Sequence, residues 1–143
     1  MYGALDISVS GMVAQRTRLD TIAANLANRD AILDAQGNPN PFRRRIPVFQ
    51  AGDPAAASPQ ARALGVHISR IGEDDGDFRK VWDPTNPYAR PAGSPDEGYV
   101  YFPNIDPVTE NVNAVDAVRA YEANVAAAEA SKGMMAQALR LLA

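Results

Sequence analysis

The distribution of proline is the feature that most constrains this sequence. Every proline except Pro107 lies between residues 31 and 106, whereas the segments 4–28 and 108–142 contain none and are rich in alanine. Since proline breaks helices and alanine favours them, both ends of the chain are predicted to be helical. The middle also holds most of the glycines, and it is predicted to consist of loops and short strands.

Apolar residues recur every seven positions in the first segment. The repeat and the residues that widen its face are Leu5, Val9, Met12, Leu19, Ile22, Ala23 and Leu26. This spacing is typical of a helix that packs along one seam. Gly11 lowers helix stability by roughly 1 kcal/mol but permits close approach, so this helix is expected to need a packing partner. Asn25 and Asn28 are expected to end it in the left-handed conformation.

The last segment has a clearer start and a longer repeat. Asp106 is a good N-cap, and Pro107 suits the first helical position. Two series offset by three residues resemble the a and d positions of a coiled coil; they are Val118, Val125, Lys132 and Leu139, and Tyr121, Ala128, Met135 and Leu142. Some 35 helical residues span about 50 Å, more than a small central domain covers. Part of the stripe must therefore find another partner.

These patterns predict an α+β chain in which long N- and C-terminal helices form a coiled-coil-like bundle beside a small central domain of short β-strands and loops. The expected divisions are an N-terminal helix in 1–30, a central β/loop domain in 31–106 and a C-terminal helix in 107–143. The two helices can pair as an antiparallel hairpin or pack on neighbouring copies, and the sequence favours neither. We expect weak helical order in the isolated chain and strong order in a polymer.

Composition excludes several classes of function. The formal net charge of -3 implies no general attraction to nucleic acid or an acidic membrane surface. The absence of cysteine removes disulfides, thiolate metal sites and cysteine nucleophiles. No stretch approaches the ~20 apolar residues of a membrane span, and the N-terminus lacks the basic start and apolar run of a secretory signal. Export, if any, is expected to use another route.

Few residues are candidates for chemistry. His67, the only histidine, has no evident nucleophile partner and is interpreted as a structural strand residue. The acidic run 73–77 lacks the twelve-residue spacing of a calcium loop and is interpreted as a solvated turn between two strands. Its acids could equally pair with Arg70, Arg79 or Lys80. We predict no catalytic, cofactor-binding or metal-binding residue.

Three other features are interpreted as structural. The Arg43–Arg45 triplet is expected to line a strand edge or to form salt bridges with an adjacent subunit. Trp82 is expected to anchor the central domain by packing its indole, with Pro84 and Pro87 behind it. Tyr121 falls on the seam, where its hydroxyl is expected to need a hydrogen-bond partner.

Motifs at both ends resemble those of the flagellar rod and hook protein family. The stretches are SGMVAQRTRLDTIAANLANRDA and GYVYFPNIDPVTENVNAVDAVRAYEAN, while PFRRRIPVFQ and VWDPTNPYA are similar to the middle of its short proximal rod subtype. The motif residues are Asn25, Leu26, Asn28, Asn104, Asp106, Tyr121 and Asn124. At 143 residues the chain is too short for the distal rod and hook members, which insert large central domains.

The resemblance implies a structural subunit of the proximal rod, the drive shaft of flagellum-dependent motility. It implies that copies of the chain and other rod proteins are its partners, that the flagellar type III apparatus exports it without a cleaved signal peptide, and that it lies in the rod crossing the periplasm. It implies no enzyme activity, cofactor, small-molecule substrate, nucleic acid or direct membrane insertion. The expected subunit-packing residues are Leu5, Met12, Leu19, Ile22, Leu26, Val118, Tyr121, Val125, Met135, Leu139 and Leu142.

Two other interpretations remain open at this stage. One is a small stand-alone binding or regulatory domain whose terminal helices close as a hairpin. The other is a metal-dependent enzyme that uses the acidic run. Concentration-independent cooperative unfolding would favour the first, and tight calcium or magnesium binding abolished by Asp75→Ala would favour the second.

Overall fold

The computed structural model describes residues 2–142, with side chains for residues 3–141, and it confirms the predicted α+β class. Long helices occupy both ends, and short strands lie between them. The helices are α1 (Tyr2–Ala27), α2 (Pro59–Leu64) and α3 (Pro107–Leu142), and the strands are β1 (Arg45–Ala51), β2 (Val66–Glu73), β3 (Arg79–Trp82) and β4 (Tyr99–Phe102).

The strands form two separate antiparallel pairs. In the first pair β1 lies beside β2, with a bulge between Val48 and Phe49. In the second pair β3 lies beside β4, and Trp82 is opposite Tyr99. Two-stranded ribbons are marginal alone, and the β1–β2 ribbon is supported by α1, which contacts β1, β2 and α2.

The terminal helices pair with each other in an antiparallel arrangement. Arg18 donates to Asn113 Oδ1 at 3.3 Å. Gly11, which precedes Arg18 on α1, lies against Asn124, which follows Asn113 on α3. Helix α1 is thus covered by α3 on one side and by the central elements on the other. The buried hydrophobic residues of the described chain are mostly small; they are Ala14, Ile22, Ala61, Val100, Ile105, Ala117 and Ala128. Within the described residues, no helix combines the length and hydropathy needed to cross a bilayer.

The start of α3 follows the sequence prediction. Asp106 accepts hydrogen bonds from the Val108 amide at 3.2 Å and from the Thr109 amide and hydroxyl at 3.1 and 2.6 Å. The Thr109 hydroxyl, followed by the two backbone amides, lowers the pKa of Asp106 from its ordinary value. The carboxylate therefore caps the helix in its charged form.

The end of α1 differs from the prediction. No residue other than glycine has a positive φ among those described, so neither Asn25 nor Asn28 adopts the left-handed conformation. Instead the Asn28 side chain donates to the Ala24 carbonyl at 2.8 Å, which the Asn28 amide also reaches at 3.1 Å. These bonds complete the last turn of α1 in right-handed geometry. The Asn25 side chain instead bonds to distant segments of the chain.

Trp82 also differs from its prediction, because its side chain is 60% exposed. The indole meets Tyr99 edge to face, with ring centroids 5.1 Å apart, and lies across Gly98. A Cβ at Gly98 would stand 2.6 Å from the indole, and the glycine has a φ of +76°, so no other residue fits there without strain. The ring is held on the surface of the β3–β4 pair and does not anchor a core.

Candidate subunit-packing site

Small and polar side chains form the contact between α1 and α3. Ala117 is fully buried, and Ala128 is 8% exposed. A Cβ added at Gly11 would lie 2.7 Å from Asn124 Oδ1, closer than real side chains approach. Asn124 itself donates to the Ala120 carbonyl of its own helix at 2.8 Å. The absence of bulk on this inner face brings the two helices close together.

Asn25 joins three parts of the chain. Its Oδ1 accepts from the Arg45 amide at 2.8 Å, and its Nδ2 donates to the Arg45 carbonyl at 2.9 Å. The same Nδ2 donates to Glu110 Oε2 at 3.0 Å. The side chain thereby pairs with β1 as a neighbouring strand would, while it also bonds α3. With only 1% of its surface exposed, Asn25 makes all of these bonds away from water.

Glu110 is the buried acid of this junction, at 1% exposure. Arg44 holds its Oε1 through Nε at 2.8 Å and Nη2 at 2.6 Å. Arg44 Nη1 also lies 3.6 Å from Asp74 Oδ2. A buried carboxylate is tolerated when a charge and hydrogen bonds compensate it, and here Arg44 and Asn25 supply both. We call Asn25, Arg44 and Glu110 the polar junction.

The polar junction corrects two sequence interpretations. Arg44 does not reach out to another subunit, because its guanidinium is used within the chain. Asp74 pairs with Arg44 and not with the three basic residues expected from the sequence, since Arg79 pairs with Asp30 and Lys80 with Asp96. The members come from three distant segments, so no local spacing indicated them. Only the asparagine-rich motif marked one of the three.

The predicted packing residues of α1 are already partly used within the chain. Ile22 is 5% exposed. The other four lie half-buried; they are Leu5, Met12, Leu19 and Leu26. Each therefore has surface left for a second contact. Their role in contacts between subunits stays a prediction.

The predicted packing residues of α3 are more exposed. Val118 is 41% exposed, Tyr121 37% and Leu139 68%. Val125 and Met135 are half-buried, and the Leu142 side chain lies outside the described residues. Of the residues that face α1, Glu110, Ala117 and Asn124 belong to the register one position before the first predicted series, while Ala128 belongs to the second predicted series. Size explains the shift, because the sequence repeat selects large apolar residues whereas the contact within the chain uses small ones.

Large apolar residues line the side of α3 that faces away from α1. Val108, Val112 and Val115 are 70%, 57% and 50% exposed. We call these three, together with Val118 at their edge, the outer stripe. Their exposed apolar side chains lie three or four residues apart, as neighbours on one side of the helix do.

The end of α3 extends beyond its partner helix. With Gly11 opposite Asn124 in an antiparallel pair, the start of α1 is level with roughly residue 133. The last nine or so residues, about 14 Å of helix, therefore project past it. We call residues 134–142 the overhang. Its exposed side chains include Met134 at 61%, Leu139 at 68% and Leu141 at 87%.

The remaining motif residues have separate positions. Asn104 is exposed, and its amide lies beside Gly76. Asp106 is the cap of α3 and Asn124 lies against Gly11, so both serve the helix pair. Tyr121 makes no hydrogen bond through its hydroxyl within the described part of the chain, and the contact expected for that hydroxyl stays a prediction.

Candidate chemistry elsewhere is limited. His67 lies in β2, as expected for a strand residue, with Nδ1 2.5 Å from the Gly52 carbonyl oxygen. The acidic run forms the turn between β2 and β3, and Asp74 accepts from the Gly76 amide at 2.9 Å. Among residues 2–142, no group of three acidic or histidine side chains is placed to hold a metal ion.

An open groove runs between α1 and β2 and encloses about 640 Å³. Val9 and Val13 form its helix side, and Ile71 lies on its strand side. Ala55 to Ala57 also line it, while Asp6 and Asp53 supply negative charge. We call this the α1–β2 groove.

Comparison with known proteins identifies both ends of the chain. Residues 5–30 match the family described as Flagella basal body rod protein, and residues 96–141 match the Flagellar basal body rod FlgEFG protein C-terminal family. The chain is 39% identical to the flagellar basal-body rod protein FlgC of Bacillus subtilis, over 98% of this chain and 97% of that protein. The FlgC protein of Aquifex aeolicus is 41% identical over 92% and 90% of the two chains. That of Escherichia coli O157:H7 is 38% identical over 99% and 97%.

Proposed function

Because this chain belongs to the FlgC family of flagellar basal-body rod proteins, we propose that it builds the proximal rod by packing α1 and α3 against the helices of neighbouring subunits. The chain is a structural subunit of the flagellar basal-body rod. Its work in this proposal is mechanical. It forms part of the drive shaft and performs no catalysis.

The observation that carries the proposal is the outer stripe. Helices α1 and α3 already pair, yet Val108, Val112 and Val115 remain at least half exposed. Fully burying a valine or leucine stabilises a contact by ~1.5 to 3 kcal/mol. A few such residues per subunit, repeated along a rod, supply enough free energy to drive assembly. A solitary domain gains nothing from leaving them in water.

We further propose that residues 1–30 and 107–143 form the rod core and that 31–106 form a central domain outside it. The overhang supports this division, since it extends past α1. The half-buried residues Leu5, Met12, Leu19 and Leu26 would add a second, weaker contact surface on α1. Partners are copies of this chain and other rod proteins.

Delivery through the flagellar type III export apparatus, without a cleaved signal, is part of the proposal, as is a final position in the periplasm. The contacts of the polar junction support the view that the chain folds only after export. Asn25 and Glu110 stand 85 positions apart, so their bond forms only when both ends of the chain have emerged. Such a chain stays threadable until it reaches the growing rod.

The experiment compares two exposed leucines. Leu139 in the overhang and Leu64 at the end of α2 are 68% and 71% exposed, so aspartate at either costs the single chain little. In cells that lack their own copy of the gene, Leu139→Asp is expected to abolish swimming and to leave basal bodies without a complete rod. Cells that carry Leu64→Asp are expected to swim.

Two further measurements complete the test. Export of the Leu139→Asp chain is expected to stay at the parental level, because the substitution acts on packing after delivery. His67→Ala is expected to leave swimming nearly unchanged, because the one described hydrogen bond of its side chain is to the Gly52 carbonyl and the smaller residue adds no bulk to the α1–β2 groove, which His67 also lines. Normal rods in the Leu139→Asp strain would refute the proposal.

A further inference from the structure

We propose that the overhang of one copy fills the α1–β2 groove of a second copy, so that subunits join head to tail. This inference rests on the proposed function and names the partner surface of the same helices. It names the segment that binds in the groove, whereas the outer stripe is an exposed surface with no named bound segment.

The groove is apolar along its sides and open to water. Val9 and Val13 on α1 are 42% and 60% exposed, and Ile71 on β2 is 49% exposed. The three alanines that line it have no polar side-chain atoms. Leucine and methionine side chains of a visiting helix would remove these surfaces from water, together with their own.

The lengths of the two parts agree. The α1 side of the groove extends from Asp6 to Thr17, which is roughly 18 Å of helix. The overhang supplies about 14 Å. A helix of that length fits along the groove without passing its ends, and it carries Met134, Leu139 and Leu141 as exposed apolar contacts.

Charge also favours this occupant. Asp6 and Asp53 lie at the groove, with Arg70 as its one arginine and His67 as its one histidine. The only charged side chain of the overhang is that of Arg140. Arg140 therefore brings a positive charge to a groove whose acids outnumber its arginine, and opposite charges of this kind set orientation more than affinity.

The overhang cannot fill the groove of its own chain. In the antiparallel pair Val13 is level with roughly residue 122, so Leu139 lies about 25 Å further along the axis. Only another molecule brings the two together. Because the contact joins two different surfaces, it cannot close as a symmetric dimer; repeated from copy to copy it builds an open array, or a ring if the rotation between copies closes.

A photocrosslinking probe tests the occupant directly. The chain has no cysteine, so benzophenone maleimide labels Val13→Cys alone. The labelled full-length chain is mixed with an isotope-labelled copy, concentrated until oligomers form, illuminated and digested with trypsin. The expected product joins the probe to residues 133–140 of the isotope-labelled copy, which is the tryptic peptide that contains most of the overhang.

A probe at Val112→Cys is the matched control, because Val112 is 57% exposed and Val13 is 60% exposed. It is expected to give little of that peptide. Leu139→Asp together with Leu141→Asp in the isotope-labelled copy is expected to lower the Val13 product roughly tenfold, since two leucine contacts are lost. Arg140→Glu removes the tryptic site at residue 140, so its crosslink is followed on the longer peptide that begins at residue 133, and the yield is expected to fall less.

The results separate this inference from the proposed function. Products at any other segment, equal labelling from Val13 and Val112, or no product in concentrated oligomers would overturn the inference. The swimming and basal-body assays with Leu139→Asp and Leu64→Asp address the function independently. A chain present in normal rods whose Val13 probe labels a different rod protein would keep the function and reject a second copy as the occupant.

Discussion

The two faces of α3 differ in the size of their side chains. The inner face meets α1 through Ala117, Ala128 and the short amide of Asn124. The outer face presents valines that are between 41% and 70% exposed. Folding of one chain thus uses small residues that permit close approach, whereas the large apolar residues are left for contacts with other molecules.

Substitutions on the two faces are therefore expected to change two different free energies, that of folding and that of association. Substitutions on the inner face disturb the helix pair itself, because close-packed contacts tolerate little change in volume. Substitutions on the outer stripe leave the pair intact and remove only the free energy available on association. Four experiments, ordered by the size of the expected effect, test the polar junction, the inner face, the outer stripe and the start of α3.

The largest effect is expected at the polar junction. Arg44→Met leaves the buried Glu110 carboxylate without its charge partner, and breaking a buried ion pair costs about 3 kcal/mol or more. Urea unfolding followed by circular dichroism measures the loss. The double variant Arg44→Met/Glu110→Leu is expected to recover over half of it, since no uncompensated charge remains. A loss below about 1 kcal/mol in the single variant would contradict this account.

A smaller effect is expected from bulk at the helix contact. Gly11→Val places atoms where Asn124 now lies and is expected to cost about 2 kcal/mol of unfolding free energy. Gly133→Val is the control, because a Cβ there meets nothing within 4 Å. It is expected to stay within about 0.5 kcal/mol of the parent. Equal losses at both glycines would mean that close approach at Gly11 is unimportant.

The outer stripe is expected to show the opposite pattern. Val115→Asp is expected to change the unfolding free energy of the dilute chain by no more than about 0.5 kcal/mol, because the side chain is half exposed. Its association, measured by sedimentation over a range of concentrations, is expected to fall sharply. A destabilised dilute chain with unchanged association would reverse the assignment of the two faces.

The smallest effect concerns the start of α3. Hydrogen bonds lower the pKa of Asp106 below its ordinary value of 3.8. A lowered folded-state pKa contributes stability above the unfolded value, and that stability is lost as the pH falls through the folded value. Asp106→Asn keeps a capping oxygen without a titrating group. Its unfolding free energy is expected to fall less than that of the parent between about pH 5 and pH 2. Parallel pH profiles would exclude this role.

The sequence predicted the parts of the fold that depend on local chemistry. The proline distribution and the heptad spacing identified both long helices, and Asp106 with Pro107 marked the start of α3. The family resemblance is confirmed by relatives that match along nearly the whole chain. These features need no knowledge of which segments meet in space.

Contacts between distant segments were not predictable in this way. Hydrophobic spacing selected Val118 and Leu139 for the seam, but the contact with α1 uses Ala117 and its register, because space between two helices favours the small residue. The partnership of Arg44 with Glu110 joins residues 66 positions apart. Trp82 was expected inside because of its size, yet its indole lies on the surface against Gly98 and Tyr99.

The small-residue contact between α1 and α3 has a mechanical consequence. Alanine and glycine have no side-chain torsions, so at Gly11, Ala117 and Ala128 the contact cannot relax by changing rotamers when the helices are twisted. A load applied to one helix passes through backbone and methyl groups to the other with little lost in rearrangement. The helix pair therefore resists twisting, because few side chains in its contact can rearrange.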